Sequence, residues 1–471
     1  MNMVPSKSPF LRWTACSVVS ALFFVDGARA EPWKQYADAT QAGFSADRIE
    51  EARKFADSIG STAVVVAYRG IILAAWGEVE RPLEIHSVRK SLFSGLFGIH
   101  VAAGTIDLQK NLEQLGIDDD PPLTAAEKQA KVVDLLRSRS GVYHTAAKEP
   151  SDMKASRPPR GSHAPGEHFW YNNWDFNTLG PILERATEKK VADEFYARIV
   201  APLGMEDFRP QDASEQLEPS NSIHAAYAFR ISARDLARFG QLFVQKGGWA
   251  ARQIITESWI KESTTKQTAF ADGDGYGYMW WVHPKGTFKA DAGYTALNAA
   301  DKFSARGTGG QFLLVIPDAE FVFAHTVDTE NNRRVPGPKI WKLAEMVLSA
   351  KVSELPANPS LTALSPLRFS NPPPPPPKER STITLNSRQL QAYPGEYAIE
   401  PQMHVRVFEY NERLFANVRS VGEAELFAES ETAFFTKSGN AVVVFIRDSL
   451  GNLTGAKVEF AGQVLTLPKT K

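Results

Sequence analysis

Apolar residues recur at helical spacing soon after Ser45. Ile49, Ala52, Phe55 and Ala56 make one stripe, and Ser45 stands where an N-cap belongs, so the pattern predicts a helix over 46–59. Two continuous apolar runs follow, Thr62–Tyr68 and Ile71–Trp76, joined by Arg69-Gly70, and they predict a β-hairpin. After a short loop comes Ser87, then Leu92, Phe93, Leu96, Phe97 and Ile99, which predict a helix apolar over a broad surface and so deeply buried. Residues 104–205 read as helical and loop-rich. Within them Tyr143–Pro165 carries four prolines and several charges with no period, which predicts a long surface loop or lid. Asp175–Thr187 and Ala192–Ala201 are patterned as helices. So is Ile231–Lys246, with Leu236, Phe239, Leu242 and Phe243 on one side. Tyr276–Val282, Gln311–Ile316 and Phe321–Thr326 predict strands, and Val335–Ala350 returns to helix. Helices at both ends of an antiparallel sheet predict an α+β arrangement.

The pattern breaks at Asn371, which six prolines follow, Pro372 to Pro377. Such a run takes extended polyproline geometry and joins neither sheet nor helix. Beyond it Val405–Tyr410, Arg413–Val418, Thr432–Phe435, Ala441–Ile446 and Ala456–Phe460 alternate apolar and polar residues between turns. The expected organisation is a main domain over 31–355, a Pro-rich linker over 356–381 and a small antiparallel β barrel or sandwich over 382–471. No internal repeat is visible.

The first thirty residues have the pattern of a secretory signal. Lys7 and Arg12 precede the apolar run Trp13–Val25, which is too short to span a membrane, and Ala28-Arg29-Ala30 offers a cleavage site. The expected location is therefore exported, periplasmic or secreted, with no stable membrane insertion after cleavage. Removal of 1–30 takes away Lys7, Arg12, Arg29 and Asp26 and moves the formal net charge from −1 to −3. That balance gives no basis for nucleic-acid binding. The chain's one cysteine, Cys16, lies inside this leader, so the mature chain would form neither a disulfide nor a thiolate metal site. The remaining composition, 43% hydrophobic with 28 Phe and 10 Trp in 471 residues, is globular and sufficient for a large core.

Ser87-Val88-Arg89-Lys90 carries the candidate chemistry. At i and i+3 on a helix the Lys90 amine reaches the Ser87 hydroxyl. A serine hydroxyl becomes a good nucleophile when a neighbouring base takes its proton, and a lysine is that base only where its site keeps it neutral. Spacing alone decides little. Ser151/Lys154, Ser258/Lys261 and Ser263/Lys266 share it, and chance supplies roughly two such pairs in a chain this long. Context separates them: Ser151/Lys154 falls in the Pro-rich loop and the other two pairs in a polar helix end. Ser87/Lys90 stands between a hairpin and an apolar helix, where burial favours a neutral amine and free N–H groups can meet an oxyanion.

Two further elements join it. Tyr171-Asn172-Asn173 is the chain's one Y-x-N, after Pro165-Gly166-Glu167 and Phe169-Trp170. A phenol beside a lysine can relay protons; Tyr171 is equally an ordinary core tyrosine in type, and Asn173 a turn residue. Ala305-Arg306-Gly307-Thr308-Gly309-Gly310-Gln311 precedes a strand, and its glycines allow close backbone approach to a ligand or simply a β turn.

Taken in order, Ser-x-x-Lys, Tyr-x-Asn and the Gly-rich strand resemble the serine β-lactamase and penicillin-binding-protein superfamily. The class C β-lactamase-like branch is nearest, with family VIII carboxylesterases and 6-aminohexanoate-dimer hydrolases. The resemblance spans roughly residues 45–350 and extends to the flanks SVRKS at 87–91, LLRSRSG at 135–141, PGEHFWYNN at 165–173, ISARDLARFG at 231–240 and YGYMWW at 276–281. It implies an antiparallel sheet flanked by helices, a helical subdomain beside it, and the site in the cleft between. It implies Ser87 as the acylated nucleophile, with Lys90 and Tyr171 sharing base and acid roles. Asn173 would touch a substrate amide or orient Lys90. The N–H groups of Ser87 and Thr308 would form the oxyanion hole, with Gly307 permitting the approach. One position departs from the family pattern: penicillin-recognising members carry Lys or His where this chain has Ala305, with Arg306 next to it as a partial substitute. That shifts the expectation from β-lactams and D-peptides toward esters and small amides. The C-terminal β segment resembles small lipocalin-like domains appended to some of these hydrolases.

The expected function is a serine hydrolase of ester or small amide bonds, acting on a small-molecule substrate. The alternatives are a D-amino-acid peptidase or β-lactamase, and a non-catalytic binding protein on the same fold. The nine histidines are scattered and no H-E-x-x-H, phosphate loop or dinucleotide fingerprint occurs, so no metal and no organic cofactor are expected. Trp170, Tyr276, Tyr278, Trp280 and Trp281 suit an apolar pocket or the core equally.

Overall fold

A computed structural model describes residues 32–471, apart from 289–292, 371, 373, 375–379, 401–402, 419–421, 438–440 and 461–462. The predicted leader and most of the proline run lie outside the described residues.

The Thr62–Tyr68 and Ile71–Trp76 runs form strands Ala63–Tyr68 and Ile71–Gly77, paired antiparallel. Arg69 and Gly70 turn between them with φ of 50° and 77°, the double positive φ that matches strand twist in a tight hairpin. Around this hairpin grows a ten-stranded sheet. Its order is Leu361–Ala363, Lys34–Tyr36, Ile71–Gly77, Ala63–Tyr68, Phe321–Thr326, Gln311–Ile316, Lys302–Gly307, Trp281–His283, Gly275–Tyr276, Thr268–Ala269. Every pairing is antiparallel except Lys34–Tyr36 against Ile71–Gly77.

Both faces of this sheet are covered, which is why its strands read as continuous apolar runs. In Ala63–Tyr68, Ala63, Val65 and Ala67 enter one core and Val64, Val66 and Tyr68 the other. The second core is closed by helices Ala46–Ser58 and Gly337–Ser349, through Ile49, Ala52, Ile340 and Leu343. The first is closed by Val88–Ala102 and Ala233–Val244, through Leu92, Leu96, Leu236 and Phe239.

Val88–Ala102 is pressed unusually close to its neighbours. A Cβ on Gly98 would lie 2.3 Å from the Trp259 ring, and one on Gly95 would lie 3.0 Å from Ile255 and 3.1 Å from Phe239. The Trp259 indole N–H donates to the Ser94 carbonyl at 2.9 Å, and the Ser91 hydroxyl to the Met279 carbonyl at 2.6 Å. This helix cannot slide, and it carries Lys90.

Beside the sheet, Asn173–Thr187 packs on the long strand Ser222–Ile231, where a Cβ on Gly180 would meet the Tyr227 ring at 1.9 Å. Leu83–Glu84, Ser222–Ile231 and Ala213–Glu218 form a separate three-stranded sheet. The C-terminal eight strands, from Gly395–Glu400 to Gln463–Pro468, pair consecutively. The first returns to the last through a Tyr397–Lys469 bridge and a Thr470 N–H to Glu396 carbonyl bond at 2.7 Å, so the sheet is a nearly closed barrel around Tyr393, Tyr397, Phe434 and Phe445. The fold is α+β with a β-lactamase-like main sheet.

Several elements differ from the sequence pattern. Tyr276–Val282 is not one strand: Met279 has φ of 61°, and the run folds back so that Tyr276 pairs with Trp281. Ile231 ends a strand, and the following helix begins at Ala233 behind a Ser232 cap. Ala192–Ala201 contains a π-helical turn, Tyr196–Val200. Tyr143–Pro165 is not all surface: Tyr143, His144, Ala146, Ala147 and Glu149 are buried, and Ser151–Ser156 forms a short helix. Part of the predicted linker is built into the main domain, since Leu361–Ala363 pairs with Lys34–Tyr36 and Phe369 is buried. Among the described residues no helix is long and apolar enough to cross a membrane.

Candidate active site

Ser87 stands at the N-terminus of Val88–Ala102, and its hydroxyl makes no capping bond. The residue before it, His86, has φ of 46°, a strained value for a non-glycine residue that places Ser87 at a sharp entry to the helix. His86 is held there from two sides, by Thr329 Oγ1 at 2.8 Å and Glu84 Oε1 at 3.3 Å.

One turn on, Lys90 is 3% exposed. Its Nζ lies 3.1 Å from Ser87 Oγ, 2.7 Å from Tyr171 Oη and 2.8 Å from Asn173 Oδ1. Burial, reinforced by the neighbouring Arg89 charge, holds the Lys90 amine well below the usual lysine range. Its three hydrogen-bond partners are all uncharged. The ammonium form would draw on the faces of Tyr171 and Phe176, 4.2 and 4.3 Å away, a smaller gain than a carboxylate would give.

A neutral amine has two N–H donors and one lone pair. Asn173 fixes how they are used. Its Nδ2 donates to the Lys148 carbonyl at 2.7 Å, so its Oδ1 faces Lys90 and must accept one N–H. The other N–H and the lone pair are left to Tyr171 and Ser87. In one of the two arrangements Ser87 donates its proton toward the amine, which is the arrangement a base requires.

Tyr171 begins the turn into Asn173–Thr187. The loop 138–140 clamps that turn: Ser138 Oγ donates to the Trp170 carbonyl and accepts from the Asn172 N–H, at 2.7 and 2.9 Å, while Ser140 Oγ donates to the buried Asp175 at 2.5 Å. The Tyr171 ring packs on Phe176, Tyr276 and Trp281. Burial pushes its phenol up to about 12, against the opposing pull of the Ser87 hydrogen bond and the Arg89 charge.

The opposite wall is strand Lys302–Gly307 and the turn Thr308–Gly310. Gly307 is extended, with φ of −133°, so its lack of a side chain serves approach, not torsion. A Cβ there would lie 2.4 Å from the Ile85 carbonyl and 3.3 Å from the His86 Cβ. Gly307 thus lets the strand close on the loop that delivers Ser87. Ser87, Tyr171, Asn173, Gly307 and Thr308 line one open cleft, with Lys90 behind its floor.

Ala305 is 1% exposed and packs in the core shared with the Ser87 helix. Arg306 reaches the cleft wall, but its guanidinium is already engaged. It donates to Ser304 Oγ at 3.1 Å and His283 Nε2 at 2.8 Å, and lies about equally over Trp281 and Trp341, at 5.3 and 5.4 Å. Asp274, His283 and Ser304 run in the order of an acid–histidine–serine relay. Ser304 and His283 are fully buried, and the imidazole receives the Arg306 N–H, so this chain of bonds positions an arginine and presents no nucleophile.

The other serine–lysine pairs are apart from the cleft chemistry. Ser151, Lys154, Ser258 and Lys261 are exposed, while Ser263 is buried with its hydroxyl on the Ile260 carbonyl. The sequence did not single out Arg89, His86 or Lys148. Arg89 lies inside SVRKS and could have been flagged by its place in an otherwise apolar helix; Lys148 acts through its backbone carbonyl, which no residue pattern reveals. Among the described residues no cluster of His, Cys, Asp or Glu could hold a metal ion.

A family model described as Beta-lactamase matches residues 46–344, and a second, described as a domain of unknown function, matches 379–468. No curated protein matches the chain. Among solved structures, the octameric penicillin-binding protein homologue from Pyrococcus abyssi is 15% identical, with 89% of this chain and 99% of that one covered and a TM-score of 0.49. A family VIII carboxylesterase is 15% identical over 64% of this chain and 97% of that one, with a TM-score of 0.48. A class C beta-lactamase is 16% identical over 64% and 94%, with a TM-score of 0.47.

Proposed function

The chain belongs to the beta-lactamase family of hydrolases, and from that premise we propose that it cleaves ester or small amide bonds through an acyl-enzyme on Ser87. The observation that carries this reading is a buried amine, Lys90, in contact at once with Ser87, Tyr171 and Asn173 behind the floor of an open cleft.

Ser87 Oγ attacks the substrate carbonyl carbon while its proton passes to the neutral Lys90 amine. Negative charge gathers on the carbonyl oxygen, which rests on the N–H groups of Ser87 and Thr308. Collapse breaks the bond to the leaving alcohol or amine, which takes a proton through Tyr171, itself resupplied by Lys90. Water then attacks acyl-Ser87, passes its proton back along the same route, and releases the carboxylic acid. Asn173 keeps the amine aimed, and Arg89 disfavours its protonation.

Ala305 argues against β-lactams and peptide C-termini as preferred substrates. No cation stands at that position, and Arg306 is committed to His283 and Ser304. A simple p-nitrophenyl acyl ester should turn over well and a chromogenic cephalosporin poorly. Ser87→Ala should abolish ester turnover, and unchanged turnover in that variant defeats the reading. The leader pattern in residues 1–30 supports export, which N-terminal sequencing of the mature protein tests.

A further inference from the structure

The sheet formed by Ala213–Glu218 and Ser222–Ile231 borders the cleft on one side and meets the C-terminal barrel on the other. Tyr227 and Gln216 line the cleft. Leu217 and Ala225 bury themselves with Phe415 of the barrel. Ser220 Oγ donates to Glu423 at 2.7 Å, and Asn417 holds the same carboxylate at 2.8 Å. The barrel is therefore seated against the rim of the cleft by an apolar contact and a buried hydrogen-bonded carboxylate.

Beside this joint lies a small depression whose walls come from both domains: Lys148, Ser214 and Gln216 from one, Glu425, Phe427 and Lys437 from the other. Lys148 and Gln216 line the Ser87 cleft as well, so the depression adjoins it across these two side chains. Its charges are unevenly answered. Glu425 is paired with Arg413, and Glu215 with Lys190 at 3.1 Å. Lys437 lies with its Nζ 4.2 Å from the Phe427 ring, and among the described residues no acid pairs with it.

We propose that Phe427 and Lys437 of the barrel form a distal subsite of the Ser87 cleft, for elongated esters or amides that end in a carboxylate. The substrate's chain crosses Lys148 and Gln216, lays apolar carbon on Phe427, and brings its anionic end to Lys437. The inference rests on the reaction proposed for Ser87 and deepens it by naming a substrate class. It also gives the barrel a function, selection by length and end-group charge.

The test uses the full-length protein and matched esters: p-nitrophenyl acetate, long-chain esters bearing a terminal carboxylate on the acyl or on the alcohol side, and their neutral methyl-capped counterparts. Lys437→Glu changes one exposed side chain, so folding is not at stake. It should lower kcat/KM for one carboxylate-ended series relative to its neutral counterpart by about fivefold, the scale of an exposed charge contact, and leave acetate unchanged. Phe427→Leu should weaken long esters of either kind, again sparing acetate. If acetate turnover depends on Ser87 but Lys437→Glu alters the charged-to-neutral ratio in neither series, the subsite is overturned and the reaction stands. If acetate turnover survives Ser87→Ala, the reaction reading itself falls.

Discussion

Lys90 and Asn173 meet without a charge between them: the amine lies 2.8 Å from Oδ1 of an amide whose Nδ2 is tied to the Lys148 carbonyl. Asn173 therefore orients the amine without favouring its protonation. Asn173→Asp puts a carboxylate in the same place. An adjacent anion favours the ammonium and raises the Lys90 pKa. Activity at neutral pH should fall, and the rising limb of kcat/KM against pH should move to higher pH. A variant that loses rate with no displacement of that limb would show that Asn173 acts on substrate instead of on Lys90.

Tyr171 should leave no descending limb in the ordinary working range. Burial holds its phenol near about 12, so it remains protonated while Lys90 has already become neutral. The profile should rise once and stay flat until the pH approaches that value. Tyr171→Phe should cost about a hundredfold or more in kcat, the range for a lost acid–base group, with a smaller change in KM.

The same burial makes Lys90 a liability for stability. Its pKa is lower folded than unfolded, so between the two values the unfolded chain binds more protons and stability rises with pH. The cost is fully present below the depressed folded value and disappears as pH rises through the usual lysine value. Lys90→Met removes this dependence. The Tm difference, variant minus wild type, should be most favourable to the variant at neutral pH and should shrink as pH is raised to about 10. A difference independent of pH would mean that Lys90 is not desolvated as described.

Gly307→Ala tests whether the strand must touch the nucleophile loop. The added methyl would meet the Ile85 carbonyl at 2.4 Å in a backbone that alanine otherwise accepts. The strain should cost about 1–3 kcal/mol in stability. Because the displaced atoms adjoin Ser87 and Thr308, kcat should fall by more than the change in KM. Retention of full activity would remove Gly307 from the site.

Much of this was legible from residue pattern because the signals were local. The Arg69-Gly70 turn, the Ser45 cap and the strands Gln311–Ile316 and Phe321–Thr326 follow from spacing and turn chemistry alone. Ser87 could be chosen over three rival serines because an apolar helix follows it. Where the pattern misled, tertiary contacts had overridden it. Tyr276–Val282 has strand composition throughout, yet folds back at Met279, whose N–H and carbonyl are taken by Leu136 and Ser91. The first half of Tyr143–Pro165 is polar enough to look like surface, yet its backbone supplies the Lys148 carbonyl that holds Asn173. The seat of the barrel on the cleft rim joins residues about two hundred positions apart, as Ser220 and Glu423 are, and no local pattern encodes it.

The most direct measurement is the mass of the protein trapped during turnover. Wild-type enzyme quenched with a slowly hydrolysed ester, or treated with a fluorophosphonate probe, should gain one acyl or phosphonyl group on the peptide containing Ser87, and Ser87→Ala should gain none. Modification at another serine, or an unmodified wild type that still hydrolyses the ester, would contradict the account.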